Sequence, residues 1–263
     1  PAMACAYTIL CMVSVIWSHY PRETVLAGLL MLATTTTGVL LACGLSLRQF
    51  TDALSRALEA TLVLSFLLEL YVALVLREPL VPIYMKDWEE VPPSYIWVEG
   101  NIFQGGPIQG IVGNRNPLAF IALLTLICVV VRWRDYRLRL PNFLIWSTLS
   151  ILTLFLTGSA TVIVAAVVCG IVMLFLWLLR HVPVALRTTV IVAASTLGVA
   201  VIVFAIGWHS QVTALLGRSP DMTGRWEIWL KVIDLWEQHT FLGWGWIMYW
   251  VPWIPMFGTL VIR

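Results

Sequence analysis

Long apolar runs separated by short polar segments make up most of this chain. A bilayer core of about 30 Å requires about 20 apolar residues in a helix, and the runs approach that length. They lack the alternation of barrel strands, so we predict an all-α fold, a polytopic transmembrane helix bundle. About seven spans are expected, at residues 3–18, 24–47, 57–76, 117–131, 142–157, 162–179 and 188–206.

Charged residues lie in the gaps between these runs and predict an orientation. Three basic segments, "RQFTDALSR", "RWRDYRLRL" and "RHVPVALR", fall on the same side of the membrane when the spans are counted. By the positive-inside rule that side is the cytoplasm. The three segments hold half of the 16 Lys and Arg residues, namely Arg48, Arg56, Arg132, Arg134, Arg137, Arg139, Arg180 and Arg187.

Composition narrows the class of protein. With 60% hydrophobic and 11% charged residues among 263, the chain fits no soluble class. Its net charge of +2 is too small to indicate a nucleic-acid partner. The high share of hydrophobic residues makes the lipid bilayer the expected partner. The cysteines fall in apolar runs without a CxxC pair and are interpreted as small buried apolar residues, so no disulfide, metal site or cofactor is predicted. They are Cys5, Cys11, Cys43, Cys128 and Cys169.

Two long segments fall on the opposite, extracytoplasmic side. The loop at about 77–116 is acidic and broken by "VPPS" and "GGP", which predicts irregular structure with short helical pieces, a lid or rim. Residues 207–263 are interpreted as the start of a large Trp-rich interfacial region, because Trp prefers the headgroup level. The domain division is therefore a membrane bundle over 1–206 followed by this region.

Within the second region, "TGRWEIWLKVIDLWEQHT" predicts an extracytoplasmic amphipathic helix. Apolar side chains recur at steps of three and four residues, and polar ones form the opposite stripe. The apolar stripe comprises Trp226, Trp229, Leu230, Ile233 and Trp236.

The stretch "GNRNPLAF" places Arg115 against an apolar run. Asn116 is a good N-cap and Pro117 suits a first helical position, so the fourth span is predicted to begin there. From Pro117 to Val131 the helix would measure about 22 Å, which predicts a turn drawn below the outer surface. A guanidinium beside a positive helix end is disfavoured unless an anion binds, and Asn114 adds donors, so a phosphate site is predicted.

The same argument applies at "DMTGRWEIW". Thr223 or Asp221 is a candidate cap, Gly224 leaves room for close approach, and Arg225 lies in the first helical turn. An alternative remains open for both arginines: Arg115 pairs with Glu99 or another acidic loop residue, and Arg225 with Asp221.

An intramembrane carboxylate, Glu69 in the third span, is a further candidate. Such groups mark functional sites because burying them costs free energy. The alternative is a protonated or paired carboxyl inside the bundle.

The order "GNRNPLAFIALL", "LTGSATVIVAAVV" and "TGRWEIWLKVIDLWEQHTFLGWGW" resembles the O-antigen ligase and polymerase superfamily over about residues 110–247. The resemblance implies a metal-independent transferase at the outer face of the bacterial cytoplasmic membrane. Such enzymes move a glycan from a polyprenyl diphosphate carrier to an acceptor sugar or lipid.

The resemblance also implies roles for residues. Arg225 and Arg115 are expected to be catalytic, as contacts of the departing diphosphate. Substrate binding is expected from the residues around them and from the intramembrane carboxylate: Asn114, Asn116, Gly224 and Glu69.

Two departures from the family pattern stand out. Many relatives carry a basic residue in the turn that matches "LTGSAT", where this chain has Gly158, Ser159 and Ala160. Relatives also have a catalytic histidine after the "TGR" helix, whereas this sequence ends first at Arg263, so we interpret it as a fragment with the base further on. Neither His209 nor His239 is assigned that role.

Competing classes are a multi-pass transporter and a non-catalytic component of envelope assembly. A transporter would show broken helices or paired ionisable groups near the midplane. The sequence does not separate ligase from polymerase or name the sugar, acceptor or oligomeric state.

Overall fold

The computed structural model describes residues 2–86, 91, 95–135, 137–207, 225–247 and 254, and within them it contains helices and no strand. A helix lies at each predicted span, and one further helix lies in the Trp-rich region. The helices are α1 (Ala2–Val13), α2 (Pro21–Gly44), α3 (Leu47–Tyr71), α4 (Arg115–Arg134), α5 (Leu140–Thr157), α6 (Ala160–His181), α7 (Val184–Gly207) and α8 (Arg225–Gln238).

Among the described residues, five helices are long and apolar enough to cross a membrane: α2, α3 with the π turn Val72–Leu76 that continues it, α4, α5 and α6. Two shorter apolar helices are Ala2–Ile16, which includes a 3-10 turn after α1, and Val184–Ala200 within α7. The all-helical, multi-pass fold is confirmed. The count of seven spans, the membrane orientation and the amphipathic character of α8 stay predictions.

The predicted start of the fourth span is wrong. The N-cap of α4 is Asn114, whose side-chain oxygen accepts from the backbone N–H of Asn116 at 3.0 Å. Pro117 lies in the first turn, where its missing N–H would have had no intrahelical partner. With 20 residues α4 measures about 30 Å, so the inference of a short span is also wrong, and the depth of the turn in the membrane stays a prediction.

Leu47–Val203 forms one compact unit. Within it α4 packs against α3, α5 and α6. Small residues at Ala119 and Ala122 allow neighbouring helices to approach closely. The buried core combines these helices with one residue of the preceding loop, and it comprises Leu62, Ile108, Leu118, Ala119, Ala122, Leu123, Leu154 and Val162.

Two of the basic segments meet at one end of this unit. The Arg132 guanidinium lies 2.8 Å from Glu59 and 3.1 Å from Asp52, and it donates to Ser55 Oγ at 2.8 Å. Arg137 contacts Asp52 at 2.8 Å and Asp135 at 3.1 Å. These arginines are therefore largely neutralised by acidic partners.

Pro1–Ser46 and Phe204–Arg263 form a second compact unit. Here the segment 239–247 contacts the turn between α1 and α2. Trp17 Nε1 donates to the Leu242 carbonyl at 2.8 Å, and Ser18 Oγ donates to the Trp244 carbonyl at 3.2 Å. The N–H of Trp246 donates to Ser14 Oγ at 2.8 Å. The predicted boundary between the membrane bundle and the Trp-rich region at residue 206 stays a prediction.

The predicted acidic loop is irregular with short helical pieces in its described part. Leu80 and Val98 form an isolated antiparallel bridge, and 3-10 turns lie at Ile83–Met85 and Gly110–Val112. Asp87, Glu89 and Glu90 lie outside the described residues.

All five cysteines are free thiols. Cys11 and Cys128 are buried, but the other three, Cys5, Cys43 and Cys169, lie on exposed helix surfaces, so their prediction as buried is wrong.

Candidate functional site

The segment Ile108–Ile111 leads into the "GNRN" turn and is attached to the bundle through four consecutive backbone N–H groups. Ile108 donates to the Leu156 carbonyl at 3.1 Å. Gln109 and Gly110 both donate to Glu69 Oε1, at 2.7 and 2.9 Å, and Ile111 donates to Ser65 Oγ at 3.3 Å. A loop that enters a protein interior needs such partners, because unpaired buried backbone groups cost free energy.

The N-terminus of α4 follows directly and presents Arg115 as its first residue. Arg115 is exposed, and it forms no ion pair within the described part of the chain. The Glu99 carboxylate, one of its predicted alternative partners, accepts instead from Asn101 Nδ2 at 2.6 Å. The cation therefore stands beside a positive helix end with no observed counter-charge.

A second helix begins beside it. Ser159 is the N-cap residue of α6, yet its side chain makes no capping hydrogen bond. It donates to Asn116 Oδ1 at 2.8 Å. The first turns of α4 and α6 contain no acidic residue. Since a helix N-terminus carries roughly half a positive charge, two of them and one arginine create a strongly positive locus.

The amide oxygens of both asparagines accept from protein donors. Asn114 accepts from a backbone N–H and Asn116 from Ser159. An amide group also carries an N–H₂ donor, so both side chains can still donate to an anion. Their chemistry agrees with the anion-binding role predicted for them, which stays a prediction.

Glu69 lies on α3 and contacts the segment that precedes α4. Its side chain is fully buried, and its second oxygen, Oε2, has no hydrogen-bond partner among the described residues. This agrees in part with the alternative that the carboxyl is paired inside the bundle, since one of its oxygens accepts from two backbone N–H groups. Its predicted part in substrate binding remains untested.

The other predicted residues belong to the second compact unit. Arg225 is the first residue of α8, but its side chain lies outside the described part. Gly224, its candidate caps Thr223 and Asp221, and His209 also lie outside the described residues. The proposed pairing of Arg115 with Arg225 therefore stays a prediction.

Sequence reasoning missed the contacts of Ser65 and Ser159. Ser159 follows a glycine at a helix start, which indicates an N-cap and gives no sign of a partner 43 residues away. The neighbouring Gly158 has a φ of +56°, a left-handed conformation that is strained for other residues. A basic residue in place of this glycine would therefore strain the turn.

No group of three or more His, Cys, Asp or Glu residues suited to a metal ion occurs in the described ranges. The expectation of metal independence stays a prediction.

The helices and the positive locus define a multi-pass helical membrane protein with a candidate anion site. Residues 145–260 match the family model described as O-antigen ligase, which supports the predicted resemblance to the O-antigen ligase and polymerase superfamily over that range. The matched range includes Ser159 and α8, whereas Arg115 precedes it. No significant match was found among curated proteins or among solved structures.

Proposed function

We propose that this protein transfers a glycan from a polyprenyl diphosphate carrier to an acceptor sugar or lipid at the outer face of the bacterial cytoplasmic membrane. The family implies a membrane enzyme of the ligase or glycosyltransferase type that handles lipid-linked glycans. The observation that supports a diphosphate donor is the positive locus, where Arg115 and the N-termini of α4 and α6 adjoin without a described counter-charge.

The chemistry of the donor explains the use of such a locus. Breaking the anomeric C–O bond places additional negative charge on the departing diphosphate. Contacts that strengthen as this charge develops lower the barrier, because they stabilise the transition state more than the bound donor. Arg115 is assigned to that contact, with Asn114 and Asn116 as hydrogen-bond donors. Arg225 is assigned the same role from its place in the family motif.

The acceptor hydroxyl must lose a proton as it attacks, so the reaction also needs a general base. No described residue is assigned to that role. Arginine contacts to a diphosphate are common to ligation and polymerisation, so the proposal covers both.

A transporter is less well supported. The described ion pairs lie at the basic end of the Leu47–Val203 unit, and Glu69 is bonded to backbone N–H groups, which is a structural arrangement. The exposed cation at the other end of α4 suits the binding of an anionic donor better than an ion pathway.

The test is glycan transfer by Arg115→Ala and Arg115→Lys in the membrane-reconstituted protein, with a lipid-diphosphate-linked glycan as donor. We expect Arg115→Ala to lower kcat/KM for the donor by about 100-fold or more, because one lost contact to developing charge is typically worth that much. Arg115→Lys should retain part of the activity, since the charge remains but the two-pronged geometry is lost.

The matched control is Arg134→Ala, which removes an exposed arginine at the opposite end of the same helix. Its activity should stay close to that of the wild type. Equal activity of Arg115→Ala and Arg134→Ala would overturn the assignment of Arg115.

A further inference from the structure

The carboxyl of Glu69 is bonded to the chain that carries Arg115 and does not reach the positive locus itself. A single oxygen, Oε1, accepts from two consecutive N–H groups, those of Gln109 and Gly110. The side chain is fully buried, so it has no surface on which to meet a substrate. Whatever Glu69 contributes to transfer therefore passes through the backbone of this segment.

The approach of this backbone to α3 is close enough to require glycine. Gly110 has a φ of +61°, and a Cβ added there would lie 2.5 Å from the side chain of Ser65. The Ser65 hydroxyl also accepts from the next N–H, that of Ile111. Two residues one helical turn apart on α3, Ser65 and Glu69, thus hold three consecutive N–H groups.

The path from this attachment to the proposed donor contact is short and fixed. The N–H of Gly113 donates back to the Gly110 carbonyl at 3.1 Å, which closes a tight turn. Asn114 then caps α4, and Arg115 is the next residue. A displacement of Gly110 by an ångström would be carried into the start of α4, because little flexible chain intervenes.

We propose that Glu69 is a positioning residue for donor binding: its carboxyl fixes the Ile108–Ile111 segment and so sets the place of Arg115. This inference rests on the proposed function, in which Arg115 contacts the donor diphosphate. It gives the intramembrane carboxylate a role without contact to the substrate.

Three variants test it. Glu69→Leu removes the acceptor at similar volume. Glu69→Gln keeps an acceptor oxygen at the same place and serves as the conservative rescue. Gly110→Ala leaves Glu69 intact but pushes the same segment away from α3, so it perturbs the position independently.

The first measurement is hydrogen exchange of the amides in peptides that span residues 104–116. In Glu69→Leu we expect the amides of Gln109 and Gly110 to exchange at least tenfold faster than in the wild type. Glu69→Gln should keep its protection within about threefold. Because this measurement does not involve transfer, it tests the attachment even if the proposed function is wrong.

The second measurement is donor kinetics combined with a double-mutant cycle. Glu69→Leu and Gly110→Ala should each lower kcat/KM for the donor by about tenfold or more, while KM for the acceptor changes less than twofold. Glu69→Gln should stay within about threefold of the wild type. In an Arg115→Ala background, Glu69→Leu should cause little further loss, because its effect passes through Arg115.

The outcomes separate the two proposals. If Arg115→Ala leaves transfer unchanged, the proposed role of Arg115 fails, whatever Glu69 does. If Arg115→Ala impairs transfer but Glu69→Leu does not, or if the two losses multiply fully, the positioning inference is overturned. If Glu69→Leu does not fold, Glu69→Gln and Gly110→Ala still decide: normal donor kinetics in Gly110→Ala with faster exchange at Gly110 would contradict the inference.

Discussion

The arginines at the two ends of α4 have opposite surroundings. Arg132 is buried, and its guanidinium is shared between two carboxylates and a hydroxyl. Arg115 is exposed and has no described acidic partner. Removing one partner of a buried ion pair is costly because it leaves the other charge uncompensated, whereas an exposed charge without a described partner is available to a ligand. One arginine of this helix is therefore paired inside the protein, and the other is the one that we propose to bind the donor.

This contrast predicts the effect of Arg132→Met. Its loss leaves the buried carboxylate of Glu59 without its cation, while Asp52 keeps its contact with Arg137, so we expect the protein to lose about 3 kcal/mol of stability. The measurement is thermal unfolding in detergent. Arg134→Met, two residues along the chain and exposed, is the matched control and should change stability by less than about 0.5 kcal/mol. Equal melting temperatures for the two variants would show that the buried cluster is not stabilising.

At the scale of an element, the start of α4 combines a structural cap with a proposed binding site. Asn114 supplies the capping oxygen, and Arg115 follows within the first turn. Helix capping and the proposed anion binding depend on neighbouring residues, so a substitution can keep the cap and still weaken the binding of an anion.

Asn114→Asp and Asn114→Ser separate the effect on helix capping from the effect on anion binding. Both retain a capping oxygen, so thermal stability should stay within about 1 kcal/mol of the wild type. The aspartate, however, adds a negative charge at the helix N-terminus, where it pairs with Arg115 and repels an anionic donor. We expect Asn114→Asp to lower transfer by about tenfold or more, and Asn114→Ser, which replaces the amide donor by a hydroxyl donor, to lower it clearly less. Similar transfer by the two variants would argue against an anion at this helix end.

The sequence pattern alone predicted most of the helices, but it did not predict the first residue of α4. Two asparagines flank Arg115, and either is a good N-cap by type, while Pro117 is compatible with any place in the first turn. The local signal was therefore ambiguous by two residues. The choice is made by contacts from elsewhere, since Asn116 bonds to Ser159 of a helix that starts over 40 residues later.

The same limit applied to the candidate site. The intramembrane position of Glu69 marked it as unusual, but its partners are backbone groups 40 and 41 residues away. Backbone N–H groups carry no sequence signature, so their pairing with a side chain is invisible to motif reasoning. Arg225 was predicted from the family motif, and its role stays a prediction because its side chain lies outside the described residues.

At the scale of the whole molecule, the chain contains two compact units, and one of them is built from both ends of the chain. In that unit, Trp17, Ser18 and Ser14 bond to a segment that lies more than 220 residues later. Gly245 sits at the centre of this contact with a φ of +94°, and a Cβ added there would lie 2.6 Å from Ser18.

Gly245→Ala should therefore loosen the segment 239–247 from the turn between α1 and α2. Gly243→Ala is the matched control, because Gly243 also has a positive φ of +64° but has no atom within 4 Å of an added Cβ. Both variants strain the backbone, but only Gly245→Ala also brings an added Cβ into a clash with Ser18. We expect Gly245→Ala to be less stable than Gly243→Ala by about 1–3 kcal/mol. Faster hydrogen exchange at residues 14–20 in Gly245→Ala alone would locate the effect, and equal exchange in the two variants would refute it.

The long separation of these partners also has a consequence for biosynthesis. Residues 14–18 leave the ribosome well before their partners at 242–246 are made, and chains grow at about 5–20 residues per second. The whole Leu47–Val203 unit is synthesised in the interval. Residues 14–18 must therefore remain without these partners for about ten seconds or more. During that interval Ser14, Trp17 and Ser18 lack their hydrogen bonds to the later segment.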